Sequence, residues 1–306
     1  MNIRDLLAVF GALLILLPPS SLAQEEEPAS PPTMSEVLAN SQPTDWRPVD
    51  PEETLYLHLP SGRVIIELAP GFAPRHVANI KALVEERYYD GLFVVRSQEN
   101  YVVQWGDPAE DPAARRPIKS AQASLPPEFY GSITKDLSVT LLPEGDVYAP
   151  NVGFSQSLPV ALDPATDRVW LAHCYGMVGV GRDVAPDSGS GAEMYVVIGH
   201  APRHLYRNVT LVGRVLQGME LLSTLPRGTG TLGFYEDPSE YVPVQSIRLG
   251  SDLPAADRVS LEVLRSDTPT FEALIASRRF RYESWFADPG GRVELCNVPL
   301  PVRVVR

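Results

Sequence analysis

What this chain lacks narrows its chemistry first. It has only two cysteines, Cys174 and Cys296, among 306 residues, too few for a disulfide-dense scaffold. Its five histidines, His58, His76, His173, His200 and His204, show no metal-ligand spacing. His200 and His204 stand four apart, but Pro202 between them argues for a loop. No metal is therefore expected. Ser188-Gly189-Ser190-Gly191 has the wrong order and context for a nucleophile elbow, and the glycine-rich run 176–181 opens no helix, so it is no dinucleotide fingerprint. No cofactor is expected either. Basic charge is short, with 26 Lys and Arg against 38 Asp and Glu and a net charge of -12, which argues against phosphate backbones and anionic lipid surfaces. The apolar run Leu6 to Leu17 is too short to span a bilayer comfortably.

That short run reads instead as an address. Arg4 precedes it, Ser21-Leu22-Ala23 follows as a small-x-small cleavage pattern, and acidic residues come next. Residues 1–23 are read as a removed signal peptide, which places the mature protein in the periplasm or outside the cell. There Cys174 and Cys296 either pair, tying the C-terminal part to the middle of the chain, or remain two buried thiols. Residues 24–53 are rich in Pro, Ser, Glu and Gln and read as a flexible leader.

Order begins at Thr54. Alternating Leu55, Leu57 and Leu59 predict a strand, Ser61-Gly62 a turn and Val64 to Leu68 the returning strand. Val77, Ile80, Leu83 and Val84 fall at helical spacing behind Pro74, a residue suited to a first helical turn. Further strands are predicted over 92–96, 101–105, 169–172, 177–180, 194–198, 210–215 and 244–249, with a short helix at 219–225. The stretch 107–167 reads as loop. The 30 prolines favour loops and edge strands over a helical bundle. Strands dominate, and the expectation is a mainly β chain, a closed antiparallel barrel capped by two helices. Beyond residue 250 an extension, 251–306, carries a predicted helix over 268–278 and a predicted strand over 292–298.

The run Ala73-Pro74, Asn79, Tyr89-Asp90-Gly91-Leu92, Arg96, Tyr101, Gln104, Gly106 and Asp107 resembles the cyclophilins, peptidyl-prolyl cis-trans isomerases. In that family an Ala-Pro helix with an internal Asn leads into Tyr-Asp-Gly. A Phe-His-Arg-Val strand and a Phe-Met-x-Gln-Gly-Gly-Asp strand come next. The spacing from Tyr89 through Arg96 to Gln104 and Asp107 matches without a gap. Gly191-Ala192-Glu193-Met194-Tyr195-Val196, Leu205, Val212-Gly213-Arg214-Val215, Gly218-Met219 and Glu128-Phe129 add to the likeness, which spans 54–250 with an insertion about 134–168.

Rotating a prolyl amide breaks no bond, so this chemistry needs no metal, nucleophile or proton shuttle. The barrier, about 18–20 kcal/mol, is lost amide resonance. A fixed donor aimed at the pyramidal nitrogen binds the twisted state better than either planar one. The resemblance implies that Arg96 is that donor, that Gln104 holds the substrate backbone, and that Tyr101, Val102, Glu193, Tyr195, His204 and Leu205 line the substrate pocket. It also implies partners that are unfolded or partly folded proteins with X-Pro bonds, with no nucleic acid and no stable membrane insertion after signal cleavage. The chain departs from the pattern where Val94 and Val95 replace a Phe-His pair, Glu193 a Gln, Gly179 an Asn and Val209 a His. Two functions stay open: an isomerase assisting exported proteins to fold, its activity weakened or lost by these changes, or a non-catalytic peptide-binding or chaperone module of cyclophilin type.

Overall fold

The computed structural model describes residues 32–305 except 110 and 112, so the proposed signal peptide lies outside the described residues. In chain order the elements are α1 (Met34–Ala39), β1 (Trp46–Pro48), β2 (Thr54–Leu59), β3 (Gly62–Leu68), α2 (Pro74–Glu85), β4 (Phe93–Ser97) and β5 (Val102–Gly106). Next come β6 (Thr140–Leu142), β7 (Asn151–Ser155), β8 (Leu158–Asp163), β9 (Arg168–Leu171), β10 (Met177–Val180) and β11 (Met194–Val197). The remainder is β12 (Leu211–Gln217), α3 (Met219–Ser223), β13 (Val242–Pro243), β14 (Ser246–Leu249), β15 (Leu261–Leu264), α4 (Pro269–Arg279) and β16 (Val302–Val304).

Nine strands form one curled antiparallel sheet in the order β13-β4-β5-β11-β10-β12-β3-β2-β14. The expected closed barrel is not formed. Edge strands β13 and β14 are separated by two residues, yet they do not pair. Between them Val244 donates to the Leu92 carbonyl and Gln245 to that of His58, so each binds its own edge. Strand β13 is only two residues long and ends in Pro243, which has no N–H to extend a ladder. Inside the curl, Leu55, Leu57, Ile66, Val94, Val103, Trp105, Val178, Val196 and Val212 pack against Val77, Ile80, Leu83 and Val84 of α2. The shorter α3 adds Leu222 to this core.

The residues read as an insertion are a sheet of their own, β6-β7-β8-β9, rather than a loop. Its Val152, Phe154, Val160 and Trp170 meet Phe271, Leu274 and Ile275 of α4 and the outward-facing Val102, Tyr195, Val197 and Leu211 of the curled sheet. Phe154 and Phe271 pack edge to face, 5.1 Å between ring centroids. The two large cores thus lie inside the curl and behind its outer face, with a smaller cluster of Tyr56, Ile65 and Leu261 beside them.

The stretch read as a flexible leader is ordered from Thr33 onward. Thr33 caps α1 in a reciprocal box with Glu36, Val37 and Trp46 are buried, and β1 pairs with β15. This order was hidden because a three-residue strand shows no period, and its partner lies more than 200 residues away. Arg47 of β1 meets Glu67 of β3 at 2.6 Å, and buried Arg214 of β12 donates to the Leu300 carbonyl, joining both flanks to the sheet. In the C-terminal part α4 matches expectation, with Thr268 as its cap and Pro269 in its first turn. The strand expected over 292–298 is instead a short turn, Leu295–Asn297, capped by the Glu294 carboxylate, and pairing waits until β16 beyond Pro299 and Pro301. Cys174 and Cys296 are joined, with a Cα separation of 5.1 Å, within the second core.

Candidate active site

Several residues that carry the sequence likeness serve the frame. Ala73 has no side chain to cap α2, so Glu128 does so from a distant loop, accepting the Arg75 and His76 amides and the His76 ring. Asn79 donates to the carbonyls of Gln122 and Ser190, and the Tyr89 hydroxyl to that of Gly191. The bonds to Ser190 and Gly191 hold the loop that leads into β11, and the bond to Gln122 ties in the loop after β5. Asp107 accepts from the Ala109 and Arg116 amides and shapes the turn after β5.

With that frame set, β4, β5, β10 and β11 present an open cavity of about 710 Å³ on the outer face of the sheet. Its walls bring together Arg96, Tyr101, Val102, Gln104, Glu193, Tyr195 and Leu205, all expected from the sequence. His204 stands just outside it. Its ring stacks on Tyr101, 5.8 Å between centroids. The His204 Nδ1 lies 2.8 Å from the Ala201 carbonyl, which makes that nitrogen the donor in the neutral ring and leaves Nε2 to face the Tyr101 hydroxyl.

Arg96 is fixed on every side. Its Nε donates to the Leu232 carbonyl at 2.7 Å, Nη1 to Gln104 Oε1 at 3.1 Å, and Nη2 to Gln98 Oε1. Its guanidinium lies over the rings of Tyr101 and Phe234, 5.4 and 5.2 Å from their centroids. Burial lowers its pKa from the ordinary arginine value, with Tyr101 opposing, but a guanidinium stays charged in proteins. Among the described residues no carboxylate lies within ion-pair distance of it. Three of the roughly five N–H donors of a guanidinium are thus committed and two are left.

Gln104 differs from expectation in its commitments. It is buried, its carbonyl faces Arg96, and its Nε2 donates to Glu193 Oε2 at 2.8 Å, leaving one N–H for a guest. Tyr195 forms the floor, and its hydroxyl lies 3.0 Å from Nε2 of buried His173. Burial drives the His173 pKa down to about 3, so the ring is neutral, and its Nδ1 has no partner among the described residues. No group of three or more His, Cys, Asp or Glu side chains able to hold a metal occurs among the described residues.

One reading needs correction. Gly179 does not stand where a substrate-binding Asn would: it lies beneath Tyr195, where an added Cβ would overlap the ring. The groove wall at that place is Gly181, Arg182 and Asp183, two to four residues further along. Leu232 and Phe234 were missed altogether. They reach Arg96 because residues 228–235 run beside β4, with Gly228 donating to the Ser97 carbonyl and Tyr235 to that of Val95. The sole local signal was a Phe-Tyr pair inside a glycine- and threonine-rich stretch, which has no period to read.

Residues 54–249 match the family model described as cyclophilin-type peptidyl-prolyl cis-trans isomerase/CLD. Probable peptidyl-prolyl cis-trans isomerases of Brucella suis biovar 1 and of Brucella abortus are 27% identical to the chain over 180 residues, which is 59% of this chain and 74% of each relative. The crystal structure of cyclophilin AquaCyp293 from Hirschia baltica superposes with a TM-score of 0.69 at 27% identity, covering 89% of this chain and 97% of that one. The curled antiparallel sheet agrees with the structural match, and the chain belongs to the cyclophilin-type peptidyl-prolyl cis-trans isomerase family.

Proposed function

We propose that this protein isomerises X-Pro bonds in exported polypeptides and works in the periplasm or outside the cell. The observation that carries the reading is the caging of Arg96 beside a groove floored by apolar and aromatic side chains, charged, immobilised and, among the described residues, with no carboxylate at ion-pair distance. A donor fixed before the substrate arrives pays no reorganisation when the amide twists, so it favours the twisted state over both planar ones. In this scheme a proline ring sits on Tyr101, Val102, Tyr195 and Leu205, and Arg96 offers an uncommitted N–H to the pyramidal nitrogen. Gln104 acts chiefly by holding Arg96, with its remaining N–H turned to the substrate backbone. Each 1.36 kcal/mol of preference for the twisted state is worth about tenfold in rate. A disulfide between the only two cysteines supports an oxidising compartment.

The test is proline isomerisation in a short X-Pro peptide with the whole chain, the wild type against Arg96→Ala. Acceleration by the wild type that falls at least tenfold in the variant supports the proposal. Equal peptide binding by both proteins with no acceleration by either would instead identify a binding module.

A further inference from the structure

Glu193 stands where it controls Arg96 at one remove. Its Oε2 accepts from Gln104 Nε2 at 2.8 Å, and Gln104 Oε1 accepts from Arg96 Nη1 at 3.1 Å. A primary amide has an acceptor end and a donor end, and its neighbours decide which way round it lies. An ionised carboxylate can only accept, so it takes the NH2 end of Gln104 and turns the carbonyl toward the guanidinium, which can only donate. Neither partner tolerates the flipped amide. The three groups therefore form a chain with one allowed polarity.

Glycines make room for this pair. A Cβ on Gly106 would lie 2.7 Å from Glu193 Cγ, and one on Gly181 would lie 3.1 Å from Glu193 Cβ and 3.4 Å from Gln104 Nε2. The backbone approaches through glycine on both sides, which lets the two side chains lie side by side. The same carboxylate borders a second cavity of about 510 Å³, where the charged and titratable groups facing it are Tyr88, Asp107, Arg115, Arg116, Arg182 and Asp183. Burial raises the Glu193 pKa above the ordinary 4.5, opposed by the Gln104 hydrogen bond and by Arg115, with Asp183 and Asp107 adding to the rise.

We infer that Glu193 is a positioning residue that makes this groove pH-sensitive, holding Arg96 in its working pose when ionised and releasing it when protonated. Protonation gives Glu193 an O–H that can donate to Gln104 Oε1. The neutral carboxyl can then meet either end of the amide, so Glu193 no longer enforces one polarity, and in the flipped orientation the Gln104 NH2 faces Arg96 and donor meets donor. Arg96 loses one of its three anchors while the groove itself stays intact. The inference rests on the isomerase reading of the site, and it adds a regulation of that site by acidity.

The experiment is the pH profile of kcat/KM on an X-Pro peptide for the full chain and for Glu193→Gln, with the uncatalysed rate subtracted at each pH. In the wild type the rate falls about tenfold or more on acidification, the loss of one charge-assisted hydrogen bond, with a midpoint above 4.5. In Glu193→Gln the profile is flat over that window, since an amide there does not titrate. The Gln104 side-chain NH2 resonances of the wild type, followed by nitrogen-15 NMR, move with the same midpoint, a readout that needs no variant. Wild-type activity with the same profile in both proteins, or Gln104 resonances that do not titrate, overturns the inference. A wild type inactive at every pH overturns the isomerase reading instead.

Discussion

Cutting the covalent tie between Cys174 and Cys296 tests how the C-terminal segment is held. The two positions are 122 residues apart in sequence. Closing a loop of that length in the unfolded chain costs about 5 kcal/mol of conformational free energy at 25 °C on the chain-entropy account. That cost disappears from the unfolded state in Cys174→Ala/Cys296→Ala. The native segment has other anchors. Leu295 and Val298 are buried, β16 pairs with β15, Glu294 pairs with Arg203, and the Leu300 carbonyl accepts from Arg214. The double variant is thus expected to keep its fold and its groove at 25 °C while losing stability through a freer unfolded state. For chains of this general size each kcal/mol moves Tm by about 2–4 °C, so a fall of roughly 10 °C or more is expected. Calorimetry of the oxidised wild type and the double variant reads it, with activity at 25 °C as the control. A Tm shift of less than about 2 °C would refute the reasoning. So would unchanged stability accompanied by loss of the groove, because the bridge would then act on the native state.

Two further outcomes follow from the groove and its floor. Gly179→Ala places a methyl group into the Tyr195 ring, so that ring must rise into the groove. Peptide affinity is expected to fall more than stability does, checked by titrating an X-Pro peptide alongside denaturation. His173 is buried neutral with a pKa of about 3 against 6.5 in an exposed ring. Between those values the unfolded chain binds a proton that the native protein does not. Stability from this site is therefore fully present above about pH 6.5 and is lost as pH falls toward 3, by several kcal/mol across the window. Denaturation midpoints from pH 7.5 to 4 check the slope, and His173→Asn is expected to flatten it. An equally steep slope in that variant would assign the acid sensitivity to other groups.

Much of the curled sheet was legible because its signals are local. Alternation at Leu55, Leu57 and Leu59, helical spacing at Val77, Ile80, Leu83 and Val84, and the gapless run from Tyr89 to Asp107 each describe neighbours in sequence. Arg96, Gln104 and Glu193 were found because they lie in such runs. The sheet of β6 to β9 was not, since its strands are short and its apolar residues are buried by α4, more than 100 residues later. Leu232 and Phe234 escaped for the same reason, as the strand they accompany is over 130 residues earlier.

The sequence alone determined the residue types at the groove, the strand-rich class and the family, because side-chain chemistry and short-range periodicity are written one residue after another. Tertiary structure decided the rest. It left the sheet curled but open, ordered the N-terminal flank through a strand at the other end of the chain, and paired two distant cysteines. It also decided that Gln104 faces Arg96 with its oxygen, because the carboxylate that orients it arrives from another strand. Those outcomes depend on which surfaces meet, and the free energy of burying them exists only once distant segments are side by side.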